Sequence, residues 1–295
     1  MLGGQMGKIL GALREACRVL LGRKPAGRRL TVYADDLFIV SYPRSGNTWT
    51  RFLIGNLLYE NEPVTFLNIE KYIPAIYLWP DRVMRSLPRP RVLKSHECFD
   101  PRYKRVIYIV RDPRDVAVSY YHYAIKRNVI PDGYPITEFI HRFMDGEFDL
   151  AWNWAASWGD HVLSWMSLRQ GRQNFLLLRY EDMLQDTENE LRKVAHLVGI
   201  EPTPERLRRA MELSSATRMR DLEKTQGKDW KLTKGTRQDK PFVRSAHAGD
   251  WRTALPASSV AEIEQAWGSI MKQVGYDLST ELPVSQSVGS ATMKV

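Results

Sequence analysis

The apolar positions of this chain fall into two spacings. Short runs at Leu37-Phe38-Ile39-Val40, Arg91 to Ser95, Val106-Ile107-Tyr108-Ile109-Val110 and Phe175-Leu176-Leu177-Leu178 read as strands. Helix-period stretches follow: Trp49, Phe52, Leu53 and Leu57 after the first run, and a segment from Pro113 onward after the third. A further helix after the fourth run opens on Thr187-x-x-Glu190, a capping-box pattern. Near-continuous apolar strands alternating with helices predict an α/β protein of three layers, with a central parallel sheet covered on both faces. Ligands of such sheets bind beyond the carboxyl ends of the strands. The unusual polar residues sit there: the loop from Ser41 to Thr48, then His96, Arg111 and Tyr180.

Outside this body, residues 8–22 read as a short amphipathic helix, with Ile9, Leu13, Ala16 and Leu20 on its apolar side. A basic linker, residues 22–29, follows it. Such a helix can rest weakly on an anionic membrane surface. Being short and without an aromatic anchor, it is read here as packing on the body. Residues 283–295 are Ser-rich and weakly apolar and read as a disordered tail. The chain therefore divides into an extension at 1–34, one large domain at 35–280 and a tail at 281–295. The polar, basic stretch 224–249 reads as a long surface loop, of the kind that serves as a lid.

Charge adds one constraint. Lys and Arg number 43 against 34 Asp and Glu, a formal net charge of +9. Such a protein attracts anions: nucleic acid, an acidic membrane or a phosphorylated substrate. Charge alone does not choose among them, and a basic surface with no dedicated partner fits equally. Two cysteines, Cys17 and Cys98, cannot build a disulfide framework and form no CxxC pair, which fits a reducing, cytoplasmic compartment. No run approaches the ~20 apolar residues of a membrane span. The first residues lack the apolar core and cleavage site of a signal peptide. No His/Cys/carboxylate cluster points to a metal.

Between the first strand and its helix lies Ser41-Tyr42-Pro43-Arg44-Ser45-Gly46-Asn47-Thr48-Trp49. A phosphate-binding loop reads G-x-x-x-x-G-K-[ST]. Here Ser41 stands for the first Gly, Gly46 is the second, Asn47 fills the Lys slot and Thr48 keeps the hydroxyl. The helix start still offers N–H groups to an anion. The cation has moved back to Arg44. By itself the pattern also fits a plain strand-turn-helix. The second segment is Arg111-Asp112-Pro113-Arg114-Asp115 through Ser119-Tyr120-Tyr121. Asp112 suits the cap, Pro113 the first helical position and Asp115 the third. Arg111 at the strand end and Ser119 in the early helix can then meet around a phosphate, to which a guanidinium fork is suited. Alone, Arg111 equally fits a surface ion pair.

Together these segments resemble the sulfotransferases that use 3′-phosphoadenosine 5′-phosphosulfate (PAPS), most of all their cytosolic-type branch. The family's Y-P-K-S-G-T-T-W loop resembles Tyr42 to Trp49, and its R-x-x-x-D-x-x-x-S-Y-Y segment resembles Arg111 to Tyr121. Its W-x-x-H-V-x-x-W stretch resembles Trp158 to Trp165, its Y-E-D-M resembles Tyr180 to Met183, and its R-K-G-x-x-G-D-W resembles Arg244 to Trp251. The resemblance spans about residues 35–280 and implies a P-loop nucleotide-kinase-like sulfotransferase fold. It also implies residue roles. Arg44, Ser45, Gly46, Asn47 and Thr48 hold the 5′-phosphosulfate, and Trp49 and Tyr180 lie against the adenine. Arg111, Ser119 and Arg244 grip the 3′-phosphate. Lys94 and His96 stand at the transferring sulfonate, in place of the family's K-x-H. On a strand, residues two apart share a face, so Lys94 and His96 point together while Ser95 and Glu97 turn away. His96 is the expected general base, because an imidazole titrates near neutrality. Lys94 and Arg44 are the expected stabilisers of developing charge. Alone, His96 equally fits a buried core histidine.

The chain departs from the family at several positions. Arg44 replaces a Lys, Ala216 stands where an aromatic covers the adenine, and Ser245-Ala246 replace Lys-Gly. A basic residue between Lys224 and Lys240 is a candidate replacement. The dimer motif K-x-x-x-T-V-x-x-x-E is half present, in Ser259-Val260 and Glu264, with Leu255 in its Lys slot. Residues 66–84 and 123–158 are expected to shape the acceptor pocket, with Tyr72, Tyr77, Trp79, Tyr134, Phe139, Phe143, Trp152 and Trp154; core packing is the competing use. An aromatic or aliphatic alcohol is the expected acceptor, with a sugar, a lipid or an amine behind it. Glu97 is the alternative base. A P-loop kinase reading needs a Lys where Asn47 stands, and a nucleic-acid-binding reading has no motif beyond the charge.

Overall fold

Each of these runs becomes a strand: β1 (Leu37–Ser41), β2 (Val92–Ser95), β3 (Arg105–Val110) and β4 (Phe175–Arg179). The computed structural model describes residues 24–147 and 156–279. The expected helix at 8–22 and tail at 281–295 lie outside them. The longer helices are α1 (Asn47–Leu58), α2 (Pro113–Lys126), α3 (Ile136–Met144), α4 (Trp158–Arg169), α5 (Thr187–Val198), α6 (Pro204–Leu213), α7 (Ala216–Gln226) and α8 (Ala257–Gln273). The sheet order is β2-β1-β3-β4 and every pairing is parallel.

Alternation along the strands separates two cores. Phe38, Val40, Tyr108 and Val110 pack with Val116, Phe139, Trp165 and Ile263, which places α2, α3, α4 and α8 on one face. Leu37, Ile39, Ile107 and Ile109 pack with Leu53, Leu57, Leu191 and Leu207, which places α1, α5 and α6 on the other. Both faces are covered, as continuous apolar strands require.

Local chemistry moves some boundaries. Asp112 caps α2 by accepting from Arg114 N, with Pro113 at the first position, as expected. The capping box at Thr187 does not form. Asp186 is the cap, accepting from Asn189 N at 3.1 Å. Thr187 lies inside the first turn and donates to Met183 O at 2.6 Å, while Glu190 pairs with Lys193. A carboxylate one residue earlier outcompetes the hydroxyl for the free helix-start amides.

The stretch 224–249 is more than a surface loop. It carries no strand, and no helix beyond Gln226, yet Trp230 and Thr233 are buried. Trp230 packs 4.5 Å from Phe66 and 5.0 Å from Phe242 between ring centroids. Glu223 accepts from the backbone of Phe242 and Val243, and Lys126 Nζ donates to the carbonyls of Arg237 and Lys240. A buried indole, with the large apolar area it removes from water, ties the segment to the body.

The half-matching dimer motif is used inside the chain. Ser259, Val260 and Glu264 are buried on α8. Glu264 accepts from Arg114 at 2.5 Å and from the backbone and hydroxyl of Ser279 at 3.0 and 2.8 Å. No helix among the described residues is long and apolar enough to cross a membrane.

Trp230→Ala is expected to release the 231–249 segment at a cost of about 3 kcal/mol. Limited proteolysis should then cut that segment before the body, and denaturant unfolding should show the loss.

Candidate active site

The sheet register builds one half of the site. Val40 pairs with Ser95, so the next residues, Ser41 and His96, end level. His96 Nδ1 lies 2.7 Å from Ser41 O. A carbonyl can only accept, so Nδ1 carries the proton and Nε2 keeps its lone pair. Nε2 has no protein partner among the described residues, and His96 lines a cavity of about 440 Å³. Tyr77 Oη accepts the His96 N–H at 2.6 Å. Burial first, then the charge of Lys94, hold the imidazole well below its ordinary pKa of 6.5, so it is neutral at physiological pH.

Lys94 lines the same cavity from β2, as the strand alternation predicts. Its ammonium is buried and has no hydrogen bond or ion pair among the described residues. Burial, and then Arg51, lower its pKa to about 7. Ser95 turns to the hydroxyls of Tyr77 and Tyr103. Glu97 accepts from Arg28 Nε at 2.6 Å and does not line the cavity, so the alternative base faces away from it.

Residues that the sequence did not mark support β2. Arg51, fully buried in α1, pairs with Glu70 at 2.7 Å, and Glu70 also accepts from Ala75 N at 2.8 Å. Residues 74–76 thereby run beside Lys94, which donates its N–H to Pro74 O and accepts from Ile76 N.

The loop after β1 turns through two left-handed residues, Arg44 at φ 69° and Gly46 at φ 93°. The N–H groups of Gly46, Asn47 and Thr48 open α1 without a backbone acceptor. Tyr180 lies directly on Gly46, where an added Cβ would stand 2.5 Å from its Cδ2. Trp49 meets Tyr180 edge-on at 5.7 Å and donates its Nε1–H to Ser214 O. Thr48 lines the cavity. Two expected ligands have their side chains turned from the cavity or placed under other contacts. The Asn47 amide donates to Ser41 Oγ at 3.2 Å and Ile39 O at 3.4 Å, propping the end of β1, which leaves its backbone N–H for an anion. Ser45 is buried and does not line the cavity, and its Oγ has no partner among the described residues.

The second half follows from the other register. Val110 pairs with Arg179, so Arg111 and Tyr180 end level, and the Arg111 guanidinium lies 4.3 Å over the Tyr180 ring. One terminal nitrogen of Arg111 donates to His247 O at 2.9 Å, while its buried Nε has no partner among the described residues. Ser119 Oγ accepts from Arg44 Nε at 3.2 Å. The Arg44 guanidinium sits 4.6 Å over Tyr123 and 4.8 Å over Phe242. Arg44, expected beside the sulfonate, thus groups here with Ser119. Burial pulls its pKa down to about 10, which leaves it charged. Arg244 lines the cavity and pairs with Asp250 at 2.5 Å, and Ser245 Oγ shares that oxygen at 2.6 Å. Ala246, in the family's Gly slot, is left-handed at φ 55°.

What holds this segment was not visible in the sequence. Asp115, read only as a helix-start residue, accepts from Gly249 N and Trp251 N at 2.6 and 3.1 Å. Arg220 donates to the carbonyls of Arg244 and Ser245. These partners are more than 20 residues away, and no local pattern announces them. The expected replacement cation does not come from residues 224–240, none of whose Lys or Arg lines the cavity; Arg237 and Lys240 pair with Asp132. Arg127 lines it instead. Of the aromatics expected at the acceptor, Tyr77 lines the cavity, joined by Tyr120, Tyr123 and Phe242. Phe139 and Phe143 are core, Tyr72 binds Glu62, and Trp79 lines a separate cavity. Trp152 and Trp154 lie outside the described residues.

Gly46→Ala is expected to weaken 3′-phosphoadenosine 5′-phosphate (PAP) binding at least tenfold by calorimetry. Left-handed strain of about 1–2 kcal/mol adds to the displacement of Tyr180. Gly133→Ala, at φ 76° with nothing within 4 Å, is the control that carries strain without the collision and keeps its affinity.

The model of the sulfotransferase domain family matches residues 34–275. A 3-beta-hydroxysteroid sulfotransferase of Cavia porcellus is 25% identical over 267 residues, covering 84% of this chain and 87% of that protein. The cytosolic sulfotransferase 1 of Danio rerio is 26% identical over 272 residues, covering 84% and 86%. Among solved structures, a mouse sulfotransferase complexed with PAP superposes with a TM-score of 0.66 at 24% identity, covering 84% of this chain and 87% of that one. Retinol dehydratase in complex with androsterone and PAP superposes with a TM-score of 0.69 at 20% identity, covering 87% and 85%. With a sheet, loop and strand-end residues of this arrangement, the chain belongs to the PAPS-dependent sulfotransferase family that its motifs resemble.

Proposed function

We propose that this enzyme transfers the sulfonate of PAPS to the hydroxyl of a small aromatic or aliphatic alcohol, with His96 as general base. The observation that carries this reading is the His96 imidazole: Nδ1 is committed to Ser41 O, and Nε2 is a free lone pair on a ring that lines the cavity. The hydroxyl acceptor is also supported by similarity to a hydroxysteroid sulfotransferase. Tyr77, Leu78, Tyr120, Tyr123 and Phe242 supply apolar surface for its body.

The residues present fit the donor. Among the described residues, the buried Nε of Arg111 lacks a partner, the Lys94 ammonium is unpaired, and no Asp or Glu lines the cavity. Arg111, Ser119 and Arg244 would hold the 3′-phosphate, and the N–H groups of residues 46–48 the 5′ side. PAPS supplies an activated sulfur with a phosphate leaving group. His96 Nε2 removes the acceptor hydroxyl proton as that oxygen bonds to sulfur and the bond from sulfur to the phosphate oxygen breaks. Lys94 places positive charge where the departing oxygen gains negative charge, and Arg44 stands with Ser119 on the 3′-phosphate side.

His96→Ala is expected to lower transfer of labelled sulfate from PAPS to a phenol and alcohol panel by about 10²–10⁴-fold. PAP affinity should stay near the wild-type value. Full activity in this variant would place the base elsewhere.

The pH dependence has a definite sign. A base with a depressed pKa stays neutral through pH 7, so kcat/KM should fall only well below pH 6.5. Lys94 loses its charge in the free enzyme as pH rises through about 7, so kcat/KM should decline on that side. Bound anion holds the ammonium charged, which moves the alkaline limb of kcat higher. Lys94→Arg should flatten the alkaline limb, because a guanidinium does not titrate there.

A further inference from the structure

Helix α4 carries three ring N–H donors on one face, Trp158, His161 and Trp165, at spacings of three and four residues. All three side chains are fully buried. Each ring donates to a backbone carbonyl in a turn that leaves the sheet. Trp158 Nε1 reaches Arg111 O at 3.2 Å, after β3. His161 Nε2 reaches His96 O at 3.2 Å, and Trp165 Nε1 reaches Glu97 O at 3.0 Å, both after β2. One rigid helix therefore touches both the turn that presents the base and the turn that presents Arg111.

His161 has a defined proton position. Its Nε2 faces a carbonyl and must carry hydrogen, which leaves Nδ1 as an acceptor for the Tyr108 hydroxyl at 2.8 Å. Burial lowers its pKa to about 4, so the ring stays neutral and the donor stays in place across the working pH range. His96 is then anchored at three points. Its N–H is held by Tyr77, its Nδ1–H by Ser41, and its carbonyl by His161. The backbone anchors matter because the base acts through Nε2, and a small rotation of the peptide unit swings that nitrogen away from the acceptor.

We propose that His161 is a positioning residue for sulfonate transfer, its Nε2–H on the His96 carbonyl aiming the catalytic imidazole into the cavity. The proposal rests on His96 as the base. His161 does not line the cavity and so acts only through His96.

The test compares His161→Gln, whose amide can restore a donor near the Nε2 position, with His161→Met, similar in size and without a donor. In His161→Met, kcat is expected to fall at least 20-fold, with acceptor KM and PAP affinity within threefold of wild type. His161→Gln is expected to recover most of kcat. Equal turnover by the Gln and Met variants, or a parallel loss of PAP affinity and kcat in both, would overturn the proposal in favour of a core-packing role. If His161→Met does not fold, His161→Gln still decides: a Gln variant as inactive as His96→Ala, with PAP binding intact, refutes restoration by an N–H donor. His96→Ala separates the two readings. If it retains activity, the base assignment fails; if it is inactive while His161→Met turns over normally, only the positioning role fails.

Discussion

Repulsion among cations facing a single cavity is the constraint on which the rest of the site depends. Arg44, Lys94, Arg111, Arg127 and Arg244 all line it, and no carboxylate among the described residues does. Burial first lowers the pKa of both Lys94 and Arg44, and nearby cations lower it further, Arg51 and Arg44 at Lys94 and Arg111 and Arg244 at Arg44. A chain free to rearrange would spread these groups into water. They stay together because each is fixed elsewhere: Lys94 by its strand, Arg44 between two aromatic rings, Arg111 over Tyr180, Arg244 against Asp250. The cavity is thus pre-set for a polyanion, whose arrival relieves the repulsion.

The parallel register does the fixing. Ending β1 and β2 together sets His96 beside Ser41, and ending β3 and β4 together sets Arg111 beside Tyr180. Helix α4 then grips the turns behind both pairs. The turn that carries His96 and the turn that carries Arg111 are therefore held by the same helix. Under the proposed mechanism, His161, inside the core, acts on the reaction while lining no part of the cavity.

Much of this was legible along the chain. Three of the four strands fall on apolar runs, because a strand buried on both faces leaves a run with little polar interruption, and β2 carries only Val92 and Leu93 as apolar residues. The shared face of Lys94 and His96 follows from two-residue alternation alone. Other readings gave way to tertiary contacts. Phe139 and Phe143 went to the core, and the segment 224–249 was pinned by Trp230. In each case the pattern was compatible with two outcomes, and packing selected one.

The sequence by itself determined the layer order, the strand-end placement of the polar residues and the identity of the cationic and aromatic groups, because these depend on local periodicity and side-chain chemistry. Only the tertiary structure decided that Arg44 lies with Ser119, that Asp115 and Arg220 hold the Arg244 segment, that Asn47 props β1, and that His161 holds the His96 carbonyl. Those contacts join residues from 6 to 134 positions apart. Their partners are set by how the helices and turns pack against the sheet, and no local pattern along a single chain encodes that.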